Sequence, residues 1–208
     1  AFIERFALLT GADVAASNDP TGASELGGDW ELETAAGTID ASQIITETLV
    51  SEYPGILIVA TADPSGSPTL KGTPNKDTLT GLQGNDTIEA IEGNDTLDGG
   101  EDQDFLFGEE GTDTLNGGNG DNAEDHLWGG EGDDLFLFSV NGGDDWVEDF
   151  TSGEDSLDVS ALGFVDFADL LSGTSDVSGN ATIDYGNNDA ITLVGVATAD
   201  LTADDFLF

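Results

Sequence analysis

Between Gly72 and Leu137 a large apolar residue returns at a fixed phase, and an Asp stands two residues before each one. The apolar series is Leu79, Ile88, Leu97, Leu106, Leu115, Leu127 and Phe136. The acidic series is Asp77, Asp86, Asp95, Asp104, Asp113, Asp125 and Asp134. Written as units, the segment reads GTPNKDTLT, GLQGNDTIE, AIEGNDTLD, GGEDQDFLF, GEEGTDTLN, GGNGDNAEDHLW and GGEGDDLFL. Six units have nine residues and the sixth has twelve. A period this short is one turn plus one short strand, stacked on its neighbours as a solenoid. Successive strand residues point to opposite faces. Position 8 is therefore expected to point inward, with positions 7 and 9 facing out. Thr or Phe at position 7 suits a strand. Gly at position 4 (Gly84, Gly93, Gly111, Gly120, Gly132) suits a turn with positive φ.

The flanks have other patterns. Residues 1–9 are apolar on one face and predict a helix, and GADVAAS and DWELETAAG predict strands. Residues 61–71, TADPSGSPTLK, have the Pro/Ser/Gly composition of a linker. After Phe138 the repeat fades. Trp146 and Phe150 are expected to cap the open end of the stack, as solenoids require. Residues 165–171 predict a short helix. Residues 181–185 and 190–194 alternate around Gly186-Asn187-Asn188, a hairpin signal. The last residues, ADLTADDFLF, predict a final strand completing the cap.

Composition narrows the chemistry. The 208 residues include 44 Asp and Glu against 3 Lys and Arg, a formal charge of −41. The cations are Arg5, Lys71 and Lys76, so none follows Lys76. Such charge opposes compaction and disfavours nucleic acid and anionic membranes as partners. It favours divalent cations. High charge also marks disorder, but 38% of residues are hydrophobic and the apolar positions are periodic. Cysteine is absent, which excludes disulfides and thiolate metal sites. The longest apolar run, residues 56–60, is far short of the roughly 20 residues a bilayer span needs, so no membrane insertion is expected. No signal peptide is visible, and a chain that starts at Ala1 without any Met is expected to be a fragment.

The phased aspartates are candidate metal ligands. A hard divalent cation takes six to eight oxygens at roughly 2.3–2.6 Å. One turn offers several carbonyls and one carboxylate, and the turn stacked beside it offers as many again. Zinc is disfavoured by the lack of Cys and the single His. Magnesium is disfavoured by its octahedral demand and its retained waters. Calcium accepts a shell made mostly of carbonyls. A merely solvated acidic face would not need seven aspartates in phase with an apolar column. His126, alone at position 7, reads as an exposed strand histidine.

These units, G-G-x-G-x-D-x-U-x with U large and apolar, resemble the RTX (hemolysin-type) repeats of proteins exported by bacterial type I secretion. The resemblance covers residues 72–137. It implies a mainly β fold, a calcium-binding parallel β-roll with two repeats per coil and ions held between repeat i and repeat i+2. The implied carboxylate pairs are Asp77 with Asp95, Asp86 with Asp104, Asp95 with Asp113, Asp104 with Asp125, and Asp113 with Asp134. That makes about five calcium ions. The implied turn donors are Gly84, Gly93, Gly99, Glu101, Gly108, Glu110, Gly111, Gly117, Asn119, Gly129 and Glu131. Departures from the motif grade the sites. Thr73, Pro74 and Asn75 replace Gly in the first unit, so its site is expected to be weak or empty. The third unit begins Ala90-Ile91, and the fourth has Asp102 at position 4. The three extra residues of the sixth unit leave Asn122 and Asp125 as alternative ligands. The sites with Asp95, Asp104, Asp113 and Asp134 are expected to be the best.

The resemblance also implies secretion to the exterior or surface of a bacterial cell, the type I machinery as partner, and an uncleaved C-terminal export signal within the cap region. Residues 1–40 resemble the C-terminal end of a caspase-like domain of unknown function from large bacterial surface proteins, whose Cys–His pair would lie upstream of Ala1. The domains expected are thus a small α/β fragment (1–60), a linker (61–71), the roll (72–138) and a C-terminal β-rich cap (139–208).

Three functions compete. A calcium-dependent folding and export module needs only the repeats. If each site has a Kd of about 0.1 mM, a 100-fold excess of calcium adds about 2.7 kcal/mol per site. Five sites then add about 13 kcal/mol, which matches the stability of a whole domain. Calcium is therefore expected to switch folding, off inside the cell and on outside. An enzyme is not expected: the only His is His126, and HExxH and GxSxG do not occur. Paired carboxylates can cleave glycosides, but these are phased as ligands. An adhesin or surface spacer built on the rigid roll is the alternative.

Overall fold

The computed structural model describes residues 59–61 and 69–208, apart from 119, 121 and 188. The helix and strands expected within residues 1–58, and the candidate donor Asn119, lie outside the described residues.

The chain winds between two sheets of mainly parallel strands. One holds seven strands in the order β1 (Val59–Thr61), β3 (Thr78–Gln83), β6 (Thr96–Glu101), β9 (Thr114–Gly118), β11 (Leu135–Leu137), β13 (Ser156–Asp158) and β17 (Phe206–Leu207). The other holds eight, in the order β2 (Thr69–Lys71), β4 (Thr87–Glu89), β7 (Phe105–Phe107), β10 (His126–Trp128), β12 (Asp144–Val147), β16 (Asp189–Leu193), β15 (Asn180–Gly186) and β14 (Thr174–Val177). The short strands β5 (Glu92–Gly93) and β8 (Glu110–Gly111) pair within the stacked turns. Successive repeats go to alternate sheets, so one coil holds two repeats. The architecture is a parallel β-solenoid.

Register keeps the phase of the sequence. Leu79 pairs with Leu97, Leu97 with Leu115, Leu115 with Phe136, Phe136 with Leu157, and Leu157 with Phe206. In the facing sheet Leu70, Ile88, Leu106, Leu127, Val147 and Leu193 form the second column. Both columns are buried, most members completely. Fully burying one such side chain is worth about 1.5–3 kcal/mol. A one-residue slip would turn a column out to solvent, so burial specifies the register.

Outward positions stack too, because parallel in-register pairing puts like positions beside each other. Phe105 and His126 stack at 5.1 Å between ring centroids, His126 and Trp146 at 6.1 Å, and Phe107 and Trp128 at 4.5 Å. His126 Nδ1 lies 2.7 Å from Glu148 Oε1. The histidine is thus half-buried in an aromatic ladder, where an exposed one was expected.

The roll is longer than its motif at both ends. Thr69–Lys71, inside the expected linker, forms β2 and pairs with β4. Beyond Phe138 the winding continues through β12 and β13. The last parallel strand of the larger sheet, β16, pairs antiparallel with β15, which pairs with β14. This is the hairpin expected around Gly186. It meets the need of a solenoid for a non-repeating end. In the smaller sheet β17 covers β13. Helix α1 (Phe167–Ser172) starts where Asp166 accepts the Asp169 N–H.

Candidate metal centre

Each repeat places its Asp just before the inward apolar residue, at the corner where turn becomes strand. The carboxylates stack in two columns. In one, Asp77 N–H donates to Asp95 Oδ1 (2.7 Å), Asp95 N–H to Asp113 (2.7 Å), Asp113 N–H to Asp134 (2.8 Å) and Asp134 N–H to Asp155 (3.0 Å). In the other, Asp86 N–H donates to Asp104 (2.7 Å), Asp104 N–H to Asp125 (2.9 Å) and Asp125 N–H to Asp145 (3.2 Å). The backbone carbonyls of Asp77, Asp86, Asp95, Asp104, Asp113, Asp125 and Asp134 also accept from the next coil, as Asp95 O does from Thr114 N–H at 2.9 Å. The five expected carboxylate pairs are thus direct neighbours, one coil apart. Asp125, and not Asn122, occupies the column in the long unit.

The Oδ2 atoms of Asp95, Asp113 and Asp134, and both oxygens of Asp86, are buried without a hydrogen-bond partner. Where a unit begins with glycine, the Oδ2 of its Asp lies against that glycine. A Cβ added to Gly108 would collide with both Asp113 Oδ2 and the Gly129 carbonyl oxygen. Gly81 stands likewise between Asp86 Oδ2 and the Gly99 carbonyl, and Gly99 between Asp104 Oδ2 and the Gly117 carbonyl. Gly117 and Gly129 lie against Oδ2 of Asp125 and Asp134. Glycine here keeps open a cradle in which oxygens converge with no donor facing them. Leaving a buried carboxylate oxygen in this state costs several kcal/mol. A hard cation with mixed carboxylate and carbonyl ligands is the chemistry that fits. Among the described residues no group of three or more His, Asp or Glu could hold a metal, so carbonyls must complete any shell.

Burial has its electrostatic consequence. Desolvation raises the pKa of Asp86, Asp95 and Asp134 to about 6 and that of Asp113 to about 7. Neighbouring aspartates push three of them further the same way: Asp77 acts on Asp95, Asp155 on Asp134, and Asp134 and Asp95 on Asp113. The inter-coil backbone hydrogen bonds oppose this only in part.

The end units differ. Asp77 Oδ2 accepts from Thr73 N–H (2.6 Å) and Thr73 Oγ1–H (2.9 Å). Thr73 is the residue that breaks the glycine motif, and its donors take the place of a cation. Asp155 Oδ2 accepts from Thr151 N–H at 2.8 Å. Asp205 accepts from Ser152 Oγ–H, Gly153 N–H and Thr202 N–H.

The other expected donors fall in two places. Gly93 and Gly111 line the second turn, with φ of 148° and 150°, and Gly84 has φ of 103°. Gly111 packs on the Gly93 carbonyl, and Gly132 on that of Gly111. Glu101, Glu110 and Glu131 are exposed on the turns, outside the buried columns. Glu101 accepts from Gln83 Nε2 at 2.9 Å. Sequence reasoning missed the cradle glycine Gly81 and the column members Asp145 and Asp155. Both aspartates keep the Asp-x-apolar signal, in Asp145-Trp146-Val147 and Asp155-Ser156-Leu157, but loops of unequal length hide the period. It also missed Asp149, which accepts from Gly129 N–H (2.9 Å) and Gly130 N–H (3.0 Å).

Residues 71–106 and 89–124 match the family of RTX calcium-binding nonapeptide repeats. Residues 1–57 match a domain of unknown function, DUF4347. Among solved structures the chain is similar to the AlgE6R2 subunit of the Azotobacter vinelandii mannuronan C5-epimerase, at 30% identity over 70% of this chain and 96% of that one, with a TM-score of 0.39. The AlgE6R3 subunit is similar at 27% identity over 68% and 78%, with a TM-score of 0.40. The extracellular lipase LipA of Serratia marcescens is similar at 15% identity over 71% of this chain, with a TM-score of 0.39; this chain spans 41% of that lipase. Comparison with curated proteins gives no match.

Proposed function

The repeat segment of this chain belongs to the RTX calcium-binding nonapeptide-repeat family, and from that premise we propose that calcium binding drives its folding, making it the export module of a larger secreted protein. The observation that carries this reading is the stack of buried carboxylate oxygens without donors, facing glycine carbonyls. Asp86, Asp95, Asp104, Asp113, Asp125 and Asp134 would hold the ions, with Gly99, Gly117 and Gly129 contributing carbonyls. A bound calcium supplies the positive charge that two stacked turns lack. The chain's own residues do the rest. The inter-coil N–H to Oδ1 bonds align the carboxylates, the glycines keep the cradles open, and the apolar columns hold the turns in register.

The donors grade the sites. Asp77 is already satisfied by Thr73, so its pair with Asp95 is the weakest of the five. At the trace calcium of a cytoplasm the columns repel and the chain stays extended, ready for a type I exporter. At extracellular calcium they close. No helix among the described residues is long and apolar enough to cross a membrane. Circular dichroism tests the proposal: β signal is expected to appear with millimolar calcium and to vanish with chelator. A spectrum indifferent to chelator would end it.

A further inference from the structure

Asp189 lies outside every repeat, yet its side chain is 2% exposed and its Oδ2 has no hydrogen-bond partner. It begins β16, the strand that joins the roll to the closing hairpin. Along β16 the inward residues are Asp189, Ile191 and Leu193. Asp144 pairs with Ala190 in β12, and Ala190 N–H donates to Gly143 O at 3.1 Å. Asp189 therefore sits opposite Gly143 and shares the inward face of the sheet with Asp145, which pairs with Ile191 two residues further along β16.

Other oxygens meet there. A Cβ on Gly142 would stand 3.2 Å from Tyr185 Oη, 3.3 Å from Asp145 Oδ2 and 3.3 Å from the Ser139 carbonyl oxygen. Tyr185 O–H also donates to Gly143 O at 3.2 Å. Across the hairpin Asp189 pairs with Gly186, next to Tyr185, so the phenol and this carboxylate lie on adjoining strands. Among the described residues the only Lys and Arg are Lys71 and Lys76, at the other end of the stack. Two buried carboxylates, Asp145 and Asp189, thus face the same seam.

We propose that this seam between roll and hairpin is a separate cation site, in which Asp145, Asp189, Tyr185 Oη and the Ser139 carbonyl take a hard divalent ion of the calcium class. Carboxylate, phenol and carbonyl oxygens, with no nitrogen or sulfur, select a hard ion. Because β15 carries Tyr185, β16 carries Asp189 and β12 carries Asp145, an ion here pins the closing hairpin to the last coil. Asp145 ends the second column of aspartates, and the site takes its other donors, Asp189, Tyr185 and Ser139, from outside the repeats.

The test uses the full chain and two probes: equilibrium dialysis with calcium, and terbium, a calcium substitute whose emission is excited through a nearby phenol. Asp189→Asn is expected to keep the calcium-dependent β signal, bind one ion fewer and lose the tyrosine-excited terbium emission. Unchanged ion count and emission in that variant overturn the proposal. If Asp189→Asn does not fold, Tyr185→Phe decides: loss of the tyrosine-excited emission supports the site, and full emission overturns it. Failure of the repeat reading would show differently, as a β signal independent of calcium in the unsubstituted chain.

Discussion

The middle and the ends of the column that runs from Asp77 to Asp155 solve one problem in opposite ways. In the middle, the Oδ2 atoms of Asp95, Asp113 and Asp134 are buried with no donor. At the ends the same oxygen is satisfied by protein: Thr73 serves Asp77, Thr151 serves Asp155, and Ser152 and Thr202 serve Asp205. A cation shared between coils needs a coil on each side, and a terminal turn has only one neighbour. Hydroxyl and amide donors need no such partner. The ends of this column are thus complete within the protein, while its middle leaves oxygens for a cation.

pH should separate the two regions most strongly, because several interior carboxyls act together. The folded pKa values of Asp86, Asp95 and Asp134 are about 6 and that of Asp113 about 7, against an ordinary 3.8. Below about pH 4 both folded and unfolded chains hold these protons and the groups contribute nothing. Between pH 4 and 7 the unfolded chain has lost protons that the folded chain keeps, so the metal-free roll loses stability as pH rises. In chelator the β signal by circular dichroism should be stronger at pH 5 than at pH 7.5. With calcium the trend inverts, because binding displaces protons. A metal-free β signal that grows as pH rises would contradict the buried, donor-free description of the middle.

Substitution in the middle comes next. Asp113→Asn keeps an oxygen for the Asp95 N–H but removes a charge from two adjoining sites. In saturating calcium it should cost about 5 kcal/mol, two sites at about 2.7 kcal/mol each. In chelator, where the chain is open with or without the change, it should make no difference. Thermal melts in saturating calcium check this, and an unchanged melting temperature there would mean that Asp113 holds no ion. At the end, Thr73→Val removes one hydroxyl donor to a buried carboxylate. Its cost should be about 1.5 kcal/mol, the same at low and at high millimolar calcium; a cost that changes with calcium concentration would place an ion at Asp77 after all.

The smallest effect concerns turns where the motif lacks glycine. Leu82, Ile91 and Glu109 keep the positive φ that glycine adopts there, at 81°, 90° and 74°. Such a conformation costs a side-chain residue about 1 kcal/mol. Glu109→Gly should recover part of it, seen as a slightly higher melting temperature, whereas a lower one would show that the Glu109 side chain makes a contact worth more than the strain.

The repeat itself was legible because the roll is local in its design. One turn and one strand recur, so Asp and the buried apolar residue keep phase from Asp77 to Phe136, and position alone told which side chains turn inward. The ends were not legible for the same reason. Asp145 and Asp155 join the columns through loops whose lengths break the count, and the strand at Thr69–Lys71 is written in the composition of a linker. Thr73 reads as a motif defect, yet its hydroxyl replaces an ion.

What the amino-acid order determined alone is therefore the period, the inward face and the acid that returns with it, since each depends on residues a few positions apart. Only the tertiary structure decided which oxygens end without a donor and which find Thr or Ser. It also decided that Asp189 is buried on the strand next to Tyr185, where the hairpin joins the roll. Those outcomes depend on pairing between strands some twenty or more residues apart, and a register of that reach is set by burial of both columns at once, which no local pattern records.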